Sequence, residues 1–214
     1  MIKQKEIFFL ASILLCLLVM ISGCTQQSEN KESIQTILQK VNNIGDVYYE
    51  LIGETSTKSG NLTYNSSYTM KIWQKMPYMK IETIVSNDTV QVMIVRPDGN
   101  YIYDNQTQKY IKIPPTENIT REKFLEEQSN EILESQTLTN LGSDTIDGKS
   151  VTIIEYSYNT TGITVSPKLW IWNEKGIPLR IEMKSTVMTV SFNLIKQYKN
   201  FVFEEIPYST FNVT

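Results

Sequence analysis

Alternating apolar and polar residues run through most of the chain and predict a mainly antiparallel β protein. In residues 179–184, apolar side chains alternate with Arg, Glu and Lys, and the same period of two returns in residues 188–194. One apolar and one polar face is the pattern of a strand in an antiparallel sheet. Further strand-like runs occupy residues 47–52, 61–76, 79–85, 90–94, 101–103, 110–113, 151–156 and 169–172.

Short turn signals separate these runs. They stand at residues 97–100 (Pro-Asp-Gly-Asn), at Asp147-Gly148 and at residues 174–176 (Glu-Lys-Gly). Proline fixes φ and glycine accepts positive φ, so each favours a tight connection between neighbouring strands. The chain therefore predicts about nine to eleven strands joined as a meander.

Two stretches have the helical period instead. Apolar residues recur three or four apart from Ile34 to Ile44, and Gly45 ends the pattern as a residue after a helix end would, which predicts a helix over 31–44. A narrow apolar stripe on a charged stretch predicts a second helix over 120–135. Because helices and strands do not alternate regularly, we expect a single α+β domain: a strongly curved antiparallel sheet with helices across one face.

The N-terminus predicts export and lipid anchoring. Lys3 and Lys5 precede an apolar run of about 15 residues, shorter than the roughly 20 that span a bilayer. Residues 21–24 (Ile-Ser-Gly-Cys) resemble the lipobox of bacterial and archaeal lipoproteins, which implies a lipid on Cys24 and cleavage before it. We expect residues 1–23 to be a lipoprotein signal peptide, 24–33 a tether and 34–214 the folded domain. An uncleaved anchor and an ordinary secretory signal are the alternatives.

Composition narrows the chemistry. The 214 residues include no histidine, two cysteines and a formal net charge of −3. A histidine base, a Ser-His-Asp triad and an imidazole metal ligand are therefore excluded. No basic patch predicts nucleic-acid binding. The acidic side chains at residues 126–134 are interpreted as a solvated helix face, so we predict no catalytic residue, no metal and no cofactor.

Seven Asn-x-Ser/Thr sequons stand in the chain, against about three expected from its composition. They predict a surface glycoprotein, although an asparagine- and threonine-rich chain also produces sequons without modification. The candidate asparagines are Asn61, Asn65, Asn87, Asn105, Asn118, Asn159 and Asn212.

Four segments together resemble the superfamily of periplasmic lipoprotein carriers and receptors. They are residues 71–80, with a basic residue, proline and aromatic between strands; 92–104, with an Asp-Gly turn before an aromatic hairpin; 169–180, with Trp-Ile before a turn and Ile-Pro after it; and 203–211, which resemble a C-terminal strand end. The family's lipoprotein carrier has a functional arginine where this chain has Met76, so the gating role of that arginine does not carry over.

The resemblance implies an unclosed β-barrel whose helices plug an apolar cavity for acyl chains. Flexible methionines and aromatic residues suit such a cavity, although most of them also fit ordinary sheet packing. The candidate lining residues are Tyr49, Leu51, Tyr68, Met70, Ile72, Met79, Ile81, Ile94, Tyr101, Tyr103, Phe124 and Leu125.

Two functions follow from these patterns. The first is a membrane-anchored, non-catalytic protein outside the cytoplasm that binds lipid or an acylated protein. The second is a structural, interaction or sensor module of the cell envelope, with the same sheet and a filled core. A void of several hundred cubic ångströms beside the sheet distinguishes the first from the second.

Overall fold

The computed structural model describes residues 32–85, 89–114, 125–135, 137–160 and 163–214. Within these ranges no helix is long and apolar enough to cross a membrane. Residues Ser33–Thr214 form one compact unit.

In the described residues, twelve strands form one antiparallel sheet. They are β1 (Val47–Ser59), β2 (Leu62–Lys75), β3 (Tyr78–Val85), β4 (Thr89–Arg96), β5 (Gly99–Asp104), β6 (Lys109–Ile113), β7 (Thr137–Ile146), β8 (Lys149–Thr160), β9 (Ile163–Val165), β10 (Lys168–Trp172), β11 (Pro178–Val187) and β12 (Val190–Val202). The spatial order is β6-β5-β4-β3-β2-β1-β12-β11-β10-β8-β7, and β9 pairs with β8. Among the described strands, β6 and β7 stand at the two ends of the order and do not pair with each other, so the sheet is an unclosed half-barrel, as predicted.

Two short helices of the described part of the chain lie against one face of this sheet. Helix α1 (Ile34–Gln39) begins at Ser33, whose Oγ accepts the backbone N–H of Thr36 at 3.1 Å, and it continues as the 3-10 helix η1 (Lys40–Asn43). Helix α2 is Leu125–Glu134. The predicted helix over 31–44 is thus observed from Ile34 to Asn43 with its last turn tightened, and residues Leu125–Glu134 of the 120–135 prediction are helical.

We define the inner face of the sheet as the face that meets the helices. Strands β1, β2 and β3 present Tyr49, Ile72 and Ile81 in direct register on this face. With Val41 of η1 and Leu125 of α2, they form the main hydrophobic cluster. A second cluster joins α1 and α2 to β8 and β10. The helices therefore cover the inner face of the curved sheet, and the main core lies between the helices and that face.

The outer face is also covered, on the β3–β5 side, by the C-terminal segment. After β12 the chain forms the 3-10 helix η2 (Tyr208–Phe211), and Phe211 packs against Ile94. The Asp46 carboxylate fixes this segment, because one of its oxygens accepts Lys75 Nζ at 2.6 Å and the Ile206 N–H at 2.8 Å. The family-like segment 203–211 is therefore not a strand end but a cover of the outer face.

Candidate ligand-binding site

The twelve predicted cavity residues do not share one surface. Eight of them lie on the inner side of the sheet. Six are buried in the main cluster, namely Tyr49, Leu51, Ile72, Met79, Ile81 and Leu125, and the other two, Tyr68 and Met70, pack against it. Register places Ile94 and Tyr101 opposite each other on the outer face, and Tyr103 follows on the same side. Including these three in one cavity with the others was wrong. Phe124 lies outside the described residues.

The inner-face residues are packed rather than open. Tyr49, Leu51, Ile72 and Leu125 have no measurable solvent exposure, and Met79 has 1%. The ring of Phe201 stacks on Tyr49 at 5.6 Å, which further fills the space at the base of β1. This part of the half-barrel is thus filled by its own side chains.

An open cleft of about 780 Å³ lies beside α2 instead, and we name it the tyrosine cleft. Helix α2 and the residue after it form one wall, and strands β7, β8 and β9 form the other. Its lining residues are Glu131, Glu134, Ser135, Thr137, Tyr156, Ser157, Tyr158 and Thr164. A volume between about 300 and 1,000 Å³ is usual for small-molecule sites. None of the eleven predicted cavity residues that the structure describes lines it.

Two stacked tyrosines form the aromatic wall of this cleft. The rings of Tyr156 and Tyr158 lie 6.0 Å apart with 28° between their planes. Tyr156 follows Ile154 by two residues in β8, so both side chains lie on the inner face of the sheet. The Tyr158 hydroxyl donates to Met183 Sδ at 3.8 Å, which orients the ring toward β11. This wall is apolar across the rings and polar at their hydroxyl groups.

The rim of the cleft is acidic and hydroxyl-rich. Glu131 and Glu134 lie at the end of α2, and the lining residues that the structure describes include no lysine or arginine. Ser135 Oγ donates to the Ile132 carbonyl, and Ser157 N–H donates to Thr137 Oγ1 at 3.1 Å. Such a rim favours a neutral or cationic head group over a carboxylate.

The partly buried Tyr156 makes the stability of the protein depend on pH. Burial, then Tyr158 and Glu131, raises the pKa of Tyr156 from its ordinary value of 10.0 to about 12. A pKa raised by folding contributes stability that is complete below about pH 10 and is lost as the pH rises through about 12. Tyr156→Phe is expected to reduce this alkaline loss by about 1 kcal/mol, allowing for solvent screening. Denaturant unfolding at several pH values measures it; equal alkaline losses in both proteins would contradict the expectation.

Within the described ranges, no three Asp, Glu, Cys or His side chains come together as a metal site. Asn61, Asn65, Asn105 and Asn212 are exposed, so the geometry leaves these sequons accessible. Asn159 belongs to β8, and Asn87, Asn118 and Cys24 lie outside the described residues.

The comparisons with known proteins support the fold. No protein-family model matches the chain, and the search of curated proteins finds no relative. Among solved structures, LprF from Mycobacterium bovis is similar over 81% of this chain and 94% of its own, with 14% identity and a TM-score of 0.51. At that identity the similarity shows the fold alone: this chain has the same kind of curved, unclosed antiparallel sheet as LprF.

Two other structures are more distant. The Mycobacterium tuberculosis lipoprotein LppX is 14% identical, with 85% of this chain and 96% of that chain covered and a TM-score of 0.47. A LolA superfamily protein from Nitrosomonas europaea is 10% identical, with coverage of 85% and 98% and a TM-score of 0.38.

Proposed function

We propose that this chain is a non-catalytic, membrane-anchored lipoprotein that binds a lipid or an acylated protein in the tyrosine cleft. The observation that carries the proposal is the open cleft of about 780 Å³ between helix α2 and the sheet of a lipoprotein carrier-like fold. Its stacked tyrosines offer apolar area to an acyl chain, and each buried methylene would contribute about 0.8 kcal/mol.

The place of action follows from the proposed lipid on Cys24. Two acyl chains hold a protein stably on a bilayer, whereas one is marginal. The folded domain would then act at the extracytoplasmic face of the cell membrane. Cys24→Ser is expected to abolish incorporation of radiolabelled palmitate and to leave an unprocessed chain, while Cys16→Ser changes neither. Full labelling of Cys24→Ser would contradict the anchor.

Blocking the cleft tests ligand binding directly. Thr164 lines the cleft on β9, so Thr164→Trp is expected to weaken binding of a neutral fluorescent acyl ester at least tenfold. Thr139→Trp is the matched control, because Thr139 is exposed on β7 and does not line the cleft. Fluorescence titration measures both affinities.

The outcome of that titration has two informative alternatives. No binding of the acyl ester or of the corresponding fatty acid to the unmodified protein would end the ligand proposal. Equal affinities in Thr164→Trp and Thr139→Trp would place the ligand elsewhere. Because of the acidic rim, we expect the neutral ester to bind more tightly than the fatty acid.

A second function has its own support in the packed inner face. Tyr49, Leu51 and Ile72 are completely buried by protein side chains, as a filled structural core requires. In that case the chain would present its surface to a partner in the envelope, as an interaction or sensor module. Absence of any lipid from protein extracted from its native membrane, together with no acyl-ester binding, would favour this function.

A further inference from the structure

Two hairpins end side by side at one end of the sheet. We define the hairpin tips as residues 58–64, between β1 and β2, and residues 184–190, between β11 and β12. Ser59 pairs with Leu62 in one hairpin and with Val190 of the other, so the two turns are adjacent. Val187 pairs with Val190 across the second hairpin. Leu62, Ser59, Val190 and Val187 thus form one continuous row across the ends of four neighbouring strands.

These tips expose large apolar side chains to solvent. Met188 is 96% exposed, Tyr64 is 62% exposed and Leu62 is 60% exposed. Val187 and Val190 beside them are also exposed. Single exposed apolar residues are ordinary, but five of them at one sheet end form a patch of the kind that marks an interaction site.

The charge around the tips is opposite in sign to that of the whole chain. Residues 55–68 and 183–194 contain Lys58 and Lys184 and no Asp or Glu, whereas the full chain has a net charge of −3. An apolar tip with flanking lysines complements a surface that is apolar inside and negative outside. An anionic lipid bilayer has that chemistry.

We propose that the hairpin tips bind the surface of an anionic lipid bilayer. Met188 and Leu62 enter the interfacial layer, while Lys58 and Lys184 extend to the lipid head groups. The inference rests on the proposed function for its anchor, because a lipid on Cys24 would hold the chain at the bilayer.

The inner face connects the tips to the tyrosine cleft. Register aligns Tyr64 and Phe192 on either side of Thr57, and Leu194 lies opposite Met183 on the same face. Met183 in turn accepts the hydroxyl of Tyr158 in the cleft wall. Apolar side chains therefore lead from the membrane-facing end of the sheet to the proposed ligand site.

A glycan and a bilayer exclude each other at this end of the molecule. Asn61 lies in the turn of the first hairpin and belongs to a sequon. A bulky, hydrated glycan there would hold the tips away from the lipid. Mass spectrometry of the peptide that contains Asn61 therefore tests the proposal, and full occupancy by a glycan overturns it.

A fluorophore at the tip measures membrane entry directly. The full chain is reconstituted in vesicles of one part phosphatidylglycerol to two parts phosphatidylcholine, with nitrobenzoxadiazole attached to Met188→Cys. Asp147→Cys is the matched control, because Asp147 has a similar positive φ in the exposed β7–β8 turn at the opposite end of the sheet. The chain without either substitution is labelled in the same way. Its emission comes from label on Cys16 and Cys24 and is subtracted from the emission of both variants.

We expect the emission of the label at position 188 to shift to the blue and to be quenched by nitroxide lipids, and the label at position 147 to do neither. A water-like spectrum at position 188 in these vesicles overturns the proposal. Emission that is already blue-shifted without vesicles, and more so at higher protein concentration, indicates a second copy of the chain on the tips and also overturns it.

The two lysines supply a second measurement that does not disturb the fold. Lys58→Gln with Lys184→Gln is expected to lower the ratio of inserted to free tips roughly thirtyfold, since each lysine near an anionic surface contributes about fivefold. Equal insertion in this variant and the parent overturns the proposal that Lys58 and Lys184 bind the anionic head groups. Acyl-ester binding by the same variant stays unchanged, so loss of tip insertion with intact ester binding is distinguishable from failure of the proposed function.

Discussion

Replacing Gly176 with alanine is expected to lower the free energy of unfolding by about 3 kcal/mol. Gly176 has a φ of +71° in the turn between β10 and β11, and its backbone lies directly under helix α1. An added Cβ would lie 2.3 Å from the Ile37 carbonyl oxygen and 3.0 Å from that of Leu38. Since both neighbours are backbone atoms, the helix must move as a whole. Denaturant unfolding measures the loss.

The control for this substitution is Gly148→Ala. Gly148 has a φ of +74°, but a Cβ there meets nothing within 4 Å. It therefore reports the backbone strain alone, which is about 1 kcal/mol. The difference between the two variants is the cost of moving α1 off the sheet. Equal losses would contradict the close contact between this turn and the helix.

Much of the fold was predictable because local signals agreed with the final structure. The alternation in β11 and β12 has one apolar parity, and the structure places Ile181 and Leu194 of that parity on the inner face. The turns at Pro97-Asp98 and Asp147-Gly148 join consecutive strands as expected. Strand β7 was not predicted, because a register shift between Asn140 and Gly142 breaks its period of two.

The choice of face was not predictable for β4 and β5. Period two tells which residues share a side of one strand, but both sides of these strands carry apolar groups. Ile94 is completely buried on the outer face, where the distant Phe211 covers it. Because that cover comes from the C-terminus, no local pattern could distinguish Ile94 from an inner residue. This long-range contact explains why Ile94, Tyr101 and Tyr103 were grouped with the wrong face.

The tyrosine cleft was missed for a related reason. Tyr156 and Tyr158 have the parity of the buried Ile154, and that shared parity was the available signal. The sequence alone does not give the position of α2. In the structure this helix ends beside the two rings and does not cover them. A cleft is a gap between distant elements, so its location depends on tertiary packing. The sequence predicted Tyr156 as a strand residue and the glutamates as a helix face, but it did not predict that they would lie side by side.

Leu51→Ala is expected to cost about 3 kcal/mol of unfolding free energy and to leave ligand affinity unchanged. Leu51 is completely buried in the main cluster, between β12 and β2, where its partners are Tyr198 and Met70. Truncation leaves a cavity that rigid neighbours cannot fill completely. Leu141→Ala, at a half-exposed position of β7, is the control and should cost less than about 0.5 kcal/mol.

The same variant distinguishes the packed inner face from the cleft as the ligand site. If the acyl ester binds in the tyrosine cleft, Leu51→Ala lowers the unfolding temperature by the same amount with and without the ester, because the new cavity is far from the bound ligand. If the ester instead occupies the space around Leu51, truncation should tighten its binding and the ester should restore part of the lost stability. Titration and thermal unfolding of Leu51→Ala and Leu141→Ala with the ester therefore decide which part of the half-barrel receives the acyl chain: restored stability in Leu51→Ala alone would move the site from the cleft to the core.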